Sequence, residues 1–311
     1  MPMIAFVFPG QGSQKVGMGR ELAERFPECE EAFAQADAAL EVPLSSLCFE
    51  GPADQLVLTE HTQPAVMAVS VAALRALTAR GVSAQWLAGH SLGEYTAYVA
   101  AGTLSFGDAL RTVRNRGRYM QEAVPLGQGA MAVIMGLDEP TVIQACIEAA
   151  DGQVVSPANL NAPGQIVVSG EAAAVQRTGV RAKELGARRV ITLDVSAPFH
   201  CAMMRPAQDR LAQDFRSLVV SDPAVPVVAN VDAQPKRGAA EAISCLIDQV
   251  TAPVRWEEVV GRLASEGVDT YVEVGFGNVL KGLIRKIDRG ARIFSVSDPD
   301  GVEAAVGALA S

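Results

Sequence analysis

The sequence predicts an α/β protein: a large domain built on a parallel sheet with helices on both faces, interrupted by a small inserted subdomain. Three observations predict it. Short apolar runs alternate with helical patterns, as strands separated by crossover helices do. In G-H-S-L-G (89–93) a glycine stands two residues to either side of the serine, the spacing a sharp strand-to-helix bend requires. Residues 129–195 run strand, helix, strand, strand, helix, strand, the split-βαβ order of a ferredoxin-like unit. The large domain is therefore expected over 1–128 and 196–311, with the insert at 129–195.

The elements follow in chain order. Ile4–Phe8 is an apolar first strand, closed by Pro9 and the glycine-rich F-P-G-Q-G-S-Q (8–14). A helix is expected from about Gly17 and a long one from about Gln63, through P-A-V-M-A-V-S-V-A-A-L-R-A-L. Trp86–Ala88 is a strand running into the bend, and L-G-E-Y-T-A-Y-V-A-A is a helix with a small-residue face that stops at Gly102. Ser105, with Asp108 three residues on, caps the next helix. In the insert, strands are expected at A-M-A-V-I-M (130–135), Val154–Pro157, Ile166–Ser169 and Arg189–Leu193. Its helices lie from Glu139 and over Glu171–Leu185, with a turn through Asn161–Gly164. Strands near Val225–Ala229, Thr270–Val274 and Ile293–Val296 return to the large domain.

Bulk properties narrow the function classes. A chain of 311 residues with 49% hydrophobic and 20% charged residues buries a substantial core. A net charge of −9 argues against nucleic acid as a partner. The five cysteines are scattered and show no C-x-x-C spacing, which points away from disulfides and zinc and toward the cytoplasm. The N-terminus lacks a basic segment and its apolar run is cut by Pro9, so it reads as a strand and not a signal peptide. No apolar run is long enough to span a bilayer, and neither metal nor cofactor is expected.

Ser91 on such a bend is a candidate nucleophile, and a serine hydroxyl needs a base, most often histidine. Of the three histidines, His90 diverges from its neighbour on a tight bend, and His61 sits at a helix start where a solvated or capping residue is expected. His200, in S-A-P-F-H-C where the insert rejoins the large domain, is the candidate base. Leu92, directly after the nucleophile, supplies one oxyanion N–H, and the loop holding Gln11 between Gly10 and Gly12 is placed to supply another. That loop fails as a nucleotide-binding fingerprint: Lys15 stands where G-x-G-x-x-G needs glycine, and Met18 where a phosphate-binding loop needs lysine. In F-G-D-A-L-R-T-V-R-N-R-G-R-Y-M, a wheel of about 100° per residue turns Arg111, Arg114 and Arg118 outward and Arg116 partly inward. An inward arginine is either one half of a structural ion pair or a fork for a substrate carboxylate. Cys201, beside His200 but without a glycine-flanked bend, is read as inert packing.

With F-P-G-Q-G-S-Q, G-H-S-L-G-E-Y, R-N-R-G-R-Y-M-Q-E-A-V-P, N-L-N-A-P-G-Q-I-V-V-S-G, A-P-F-H-C and E-V-G-F-G-N-V-L in order, the chain closely resembles malonyl-CoA:acyl carrier protein transacylases over essentially its whole length. The resemblance implies a hydrolase-like core with a ferredoxin-like insert and a ping-pong transfer of malonyl from malonyl-CoA to holo acyl carrier protein in fatty acid synthesis. It implies Ser91 as nucleophile, His200 as base, Gln11 and Leu92 as oxyanion hole and Arg116 as ligand of the malonyl carboxylate. It further implies that the backbone carbonyl of Gln249 orients His200 and that Phe199 is the aromatic of malonyl-selective relatives. A monomer is expected, docking its acidic carrier through a local basic patch, for which Arg188, Arg189, Lys281, Arg285 and Lys286 are candidates. A serine hydrolase and an acyltransferase serving a polyketide synthase are the rival readings.

Overall fold

The computed structural model describes residues 2–310. The chain opens with β1 (Ile4–Phe8), followed by α1 (Arg20–Arg25), α2 (Pro27–Leu40), α3 (Leu44–Glu50), α4 (Ala53–Leu56) and α5 (Thr59–Thr78). Then come β2 (Trp86–Gly89), α6 (Leu92–Ala100) and α7 (Phe106–Ala123). The small unit holds β3 (Gly129–Met135), α8 (Glu139–Ala149), β4 (Val155–Ala162), β5 (Gln165–Glu171), α9 (Ala172–Glu184) and β6 (Arg189–Thr192). The chain returns through α10 (Arg205–Phe215), β7 (Val227–Val228), β8 (Pro235–Lys236), α11 (Ala239–Asp248), α12 (Trp256–Ser265), β9 (Thr270–Val274), α13 (Val279–Ile287), β10 (Arg292–Val296) and α14 (Pro299–Leu309).

The large sheet has the order β10-β9-β1-β2-β7-β8, and every pairing except β7 with β8 is parallel. Central parallel strands are covered on both faces, and β1 shows why its five residues are all apolar. Ile4, Phe6 and Phe8 join the core under the helices α1, α2, α5, α6 and α7, while Ala5 and Val7 face the cluster that α12 and α13 supply with Trp256, Val259, Leu280 and Ile284. The α/β fold expected from the sequence is borne out.

The small sheet has the order β4-β5-β3-β6, wholly antiparallel. One face, with Ala132, Ile134, Ile166 and Val168, packs on α8 and α9, and the other turns Met131, Val133, Ala158 and Val167 toward Leu193, Val195 and Phe199. A backbone bridge fastens it to the large domain: Leu160 N–H donates to Val254 O and Val254 N–H to Ala158 O, each at 2.9 Å.

Three local readings shift, and one strand goes unread. The helix expected from about Gly17 begins at Arg20. Helix α5 begins at Thr59 and not near Gln63, because Thr62 Oγ1 ties the first turn to Leu56 O at 2.6 Å and the helix accepts Pro64 in its interior at the loss of one N–H donor. Strand β4 runs on through Ala162, so the turn shrinks to Pro163–Gly164, with Gly164 at φ +68° where a side chain is disfavoured. Edge strand β8 has two residues, too short to leave a periodic signal.

Candidate active site

Because β1, β2, β7 and β9 run parallel, their carboxyl ends share one edge, and the loops that follow them converge there. The bend after β2 explains its two glycines. A Cβ on Gly89 would lie 1.9 Å from the Gly93 carbonyl carbon, and one on Gly93 would lie 2.0 Å from Phe8 O. Strand and helix touch backbone to backbone, and Ser91 between them is forced to φ +52°, ψ −106°, a strained conformation for an L-residue.

Ser91 Oγ lies 2.7 Å from His200 Nε2, and His200 Nδ1 donates to the backbone carbonyl of Gln249 at 2.8 Å. That second bond leaves Nε2 with its lone pair toward the serine, as a general base requires. Burial, reinforced by the positive charge of Arg116, pushes the His200 pKa down to about 3, so the ring is neutral at physiological pH. The other histidines are engaged elsewhere: His90 Nε2 contacts Asn161 Oδ1 at 2.8 Å, and His61 Nδ1 contacts Gln55 O at 2.9 Å. Cys201 is buried with its thiol pKa raised by desolvation, and Sγ donates to Pro198 O.

Of the four arginines in α7, Arg116 is the one that is buried, at 2% exposure. Nη1 donates to Gln63 Oε1 at 2.8 Å; Nη2 donates to Gln249 Oε1 at 2.8 Å and to Ser91 Oγ at 3.1 Å. The guanidinium also stands 5.3 Å from the Tyr95 ring centroid. Among the described residues, no carboxylate forms an ion pair with it, and Nε has no partner. A buried cation held only by neutral oxygens leaves a positive charge without a counter-charge beside the nucleophile.

A cleft of about 320 Å³ opens over this group, lined on one side by Gln11, Ser91, Leu92, Arg116 and His200 and on the other by Met131, Leu193, Val195 and Phe199. Leu92 is the first residue of α6, so its N–H has no acceptor one turn back and is free to face the cleft. Arg188, Arg189 and Lys286 lie at the end of the small sheet away from this opening. Arg189 begins β6 while the cleft is lined by residues past its other end, about 13 Å along the strand. Arg188 lines a separate cleft with Asp138, Glu257 and Glu258, and Lys286 Nζ donates to Gln165 Oε1 at 2.7 Å beside the same end of the small sheet. Lys281 and Arg285 lie on the same helix, α13.

Four buried polar residues at this centre were not singled out by the sequence: Gln63, Glu94, Asn230 and the side chain of Gln249. Glu94 Oε2 accepts from Asn230 N–H at 3.1 Å and from Gln249 Nε2 at 2.7 Å, and burial pushes its carboxyl up to about 7 against those donors. A signal existed for Asn230, a polar residue at the carboxyl end of a parallel strand.

A model of the acyl transferase domain family matches residues 5–297. The chain belongs to the acyl transferase family. It is 47% identical over 310 residues to the malonyl CoA-acyl carrier protein transacylase of Bacillus subtilis, covering 99% of this chain and 98% of that one. The transacylase of the same description from Escherichia coli K12 is 47% identical over 307 residues, covering 98% and 99%. Among solved structures, the malonyl CoA-acyl carrier protein transacylase of Coxiella burnetii superposes with a TM-score of 0.97 at 44% identity, over 100% of this chain and 99% of that one. A malonyl-transacylase solved in complex with a type II PKS acyl-carrier protein gives a TM-score of 0.96 at 44% identity, covering 98% and 99%. The resemblance read from the motifs, and the acyltransferase class with it, is borne out across the chain.

Proposed function

We propose that this acyltransferase moves a malonyl group from malonyl-CoA to the phosphopantetheine thiol of holo acyl carrier protein, through a malonyl ester on Ser91. The observation that carries this reading is the buried, carboxylate-free guanidinium of Arg116 within 3.1 Å of Ser91 Oγ, a match for an acyl group that ends in an anion. The strained bend, the serine–histidine contact and the relatives' printed names support it.

In the first half-reaction Ser91 Oγ attacks the thioester carbonyl as its proton passes to His200 Nε2. The oxyanion is met by the N–H groups of Gln11 and Leu92, and CoA departs as the thiol with the proton from His200. The malonyl carboxylate takes the donors of Arg116, which fixes the acyl carbon over Ser91. In the second half-reaction the carrier's thiol attacks malonyl-Ser91 as His200 accepts its proton, and the Oγ–acyl bond breaks with that proton returned from His200 to Ser91 Oγ. The five buried free cysteines fit a reducing cytoplasm, and no helix of the described residues is long and apolar enough to cross a membrane. For carrier docking, Arg188, Arg189 and Lys286 offer positive charge around one end of the small sheet, with Lys281 and Arg285 on the neighbouring helix.

Intact-protein mass after mixing with malonyl-CoA, then with holo acyl carrier protein, tests the reading. A malonyl adduct on Ser91 that moves to the carrier is expected. CoA release with free malonate accumulating, with or without carrier, would replace the transfer reading by hydrolysis.

A further inference from the structure

The strain at Ser91 has a counterpart that holds it in place. Asn230 follows β7 at the same sheet edge and is wholly buried. Its side-chain amide lies against the bend with two bonds: Oδ1 accepts from Ser91 N–H at 2.8 Å, and Nδ2 donates to Gly89 O at 2.8 Å. It thus stands where the peptide of a neighbouring strand would stand, at the point where β7 has ended and the bend has turned away. Gln249 Nε2 grips the other side of the residue by donating to Ser91 O at 2.9 Å. Asn230 is in turn fixed at its own backbone, since its N–H donates to Glu94 Oε2 and its carbonyl accepts from Arg255 N–H at 3.1 Å.

We propose that Asn230 is a positioning residue for the transfer: its side-chain amide clamps the strained peptide of Ser91 and so aims Oγ at His200, with Glu94 anchoring the clamp. Both amide atoms are needed, one acceptor and one donor, because the bend presents one of each. The inference rests on the proposed role of Ser91 as nucleophile.

Asn230→Asp separates the two halves of the clamp. An aspartate keeps the acceptor for Ser91 N–H but sets a second oxygen against Gly89 O, and its protonated form restores the donor. The charged and titratable groups around it are Glu94 on α6, Asp232 in its own loop, Arg116 on α7, Arg255 before α12, His90 on the bend and His200 beyond Ser91. Burial and the two carboxylates push the pKa of an aspartate there upward, against the positive charge of Arg116. The test measures, by intact mass at pH 5.5 and pH 8, the rate at which Ser91 takes malonyl from malonyl-CoA and the rate at which it takes a fluorophosphonate. In the latter reaction the Oγ–P bond forms, fluoride leaves and His200 takes the proton. In Asn230→Ala, still showing a cooperative melt, both rates are expected to fall about 100-fold with KM for malonyl-CoA near that of the wild type. In Asn230→Asp, the rate relative to the wild type is expected to rise about tenfold between pH 8 and pH 5.5. An alanine variant labelled at the wild-type rate, or an aspartate variant whose ratio is the same at both pH values, overturns the clamp. Should the alanine variant not fold, the aspartate ratio decides. Should the wild type take fluorophosphonate but no malonyl, the proposed substrate fails while the labelling ratio still reads the clamp.

Discussion

The two walls of the cleft are built on opposite principles. The wall from the large domain is polar, buried and interlocked: Ser91, His200, Arg116, Gln249, Asn230 and Glu94 hold one another through bonds of 2.7–3.1 Å. The wall on the small-sheet side is mostly apolar, with Met131, Leu193, Val195 and Phe199 interrupted by Asn159 and Asp194, and it meets the first through contacts that include the Val254 bridge and the His90–Asn161 pair. Bond formation needs fixed geometry, which interlocked polar contacts supply. Fit to an acyl group needs shape, which side chains packed by contact alone supply and which tolerates change more easily.

That contrast can be tested most severely at Arg116. Arg116→Ala is expected to cost about 2–4 kcal/mol of malonyl transfer, roughly 30- to 1,000-fold in kcat/KM, while an uncharged acyl-CoA still acylates Ser91. Equal loss with both donors would mean that the polar wall works as one block and not as separable parts. Phe199→Ser probes the apolar wall. Competition between methylmalonyl-CoA and malonyl-CoA is expected to shift about tenfold toward methylmalonyl with malonyl turnover largely kept, and an unchanged ratio would remove Phe199 from selectivity. Outside both walls, reversing Arg285 and Lys286 to Glu is expected to raise KM for the carrier a few-fold and to spare acylation by malonyl-CoA, and an unchanged KM would move docking elsewhere.

The smallest expected effect is none. Since His200 is held neutral down to about pH 3, kcat/KM for acylation should show no loss from protonation of His200 between pH 8 and 5.5, where a histidine at its ordinary pKa would cost about tenfold; an inflection near 7 would report on Glu94 instead. The same shift sets a sign for stability. The folded ring binds its proton less readily than the unfolded one, so the contribution of His200 to stability is full above about 6.5 and is lost as pH falls toward 3. Thermal melts of wild type and His200→Ala across that range would show the wild type losing the greater share.

The residues nearest the reacting hydroxyl are legible in the sequence because they sit in local patterns. Gly89, Ser91 and Gly93 announce the bend, and Arg116 departs from the outward face of its own helix. What was illegible depends on long-range convergence. Gln63 and Gln249 meet Arg116 from 53 and 133 residues away, and no spacing rule reports on such a meeting. Asn161 reads as part of a turn in the sequence, yet the extension of β4 carries it to His90, a register effect that only pairing with β5 defines. Basic pairs such as Arg188–Arg189 are visible as composition, but their distance from the cleft follows from which end of β6 they occupy.

The carboxylate-free seat of Arg116 has a consequence for how such a chain diversifies. On the proposed mechanism, the demand for an anionic acyl group resides in one side chain on α7, while nucleophile, base and bend belong to other elements. A gene duplicate could therefore change its diet of acyl groups through one codon and a few neighbours on the apolar wall, inheriting the reaction intact.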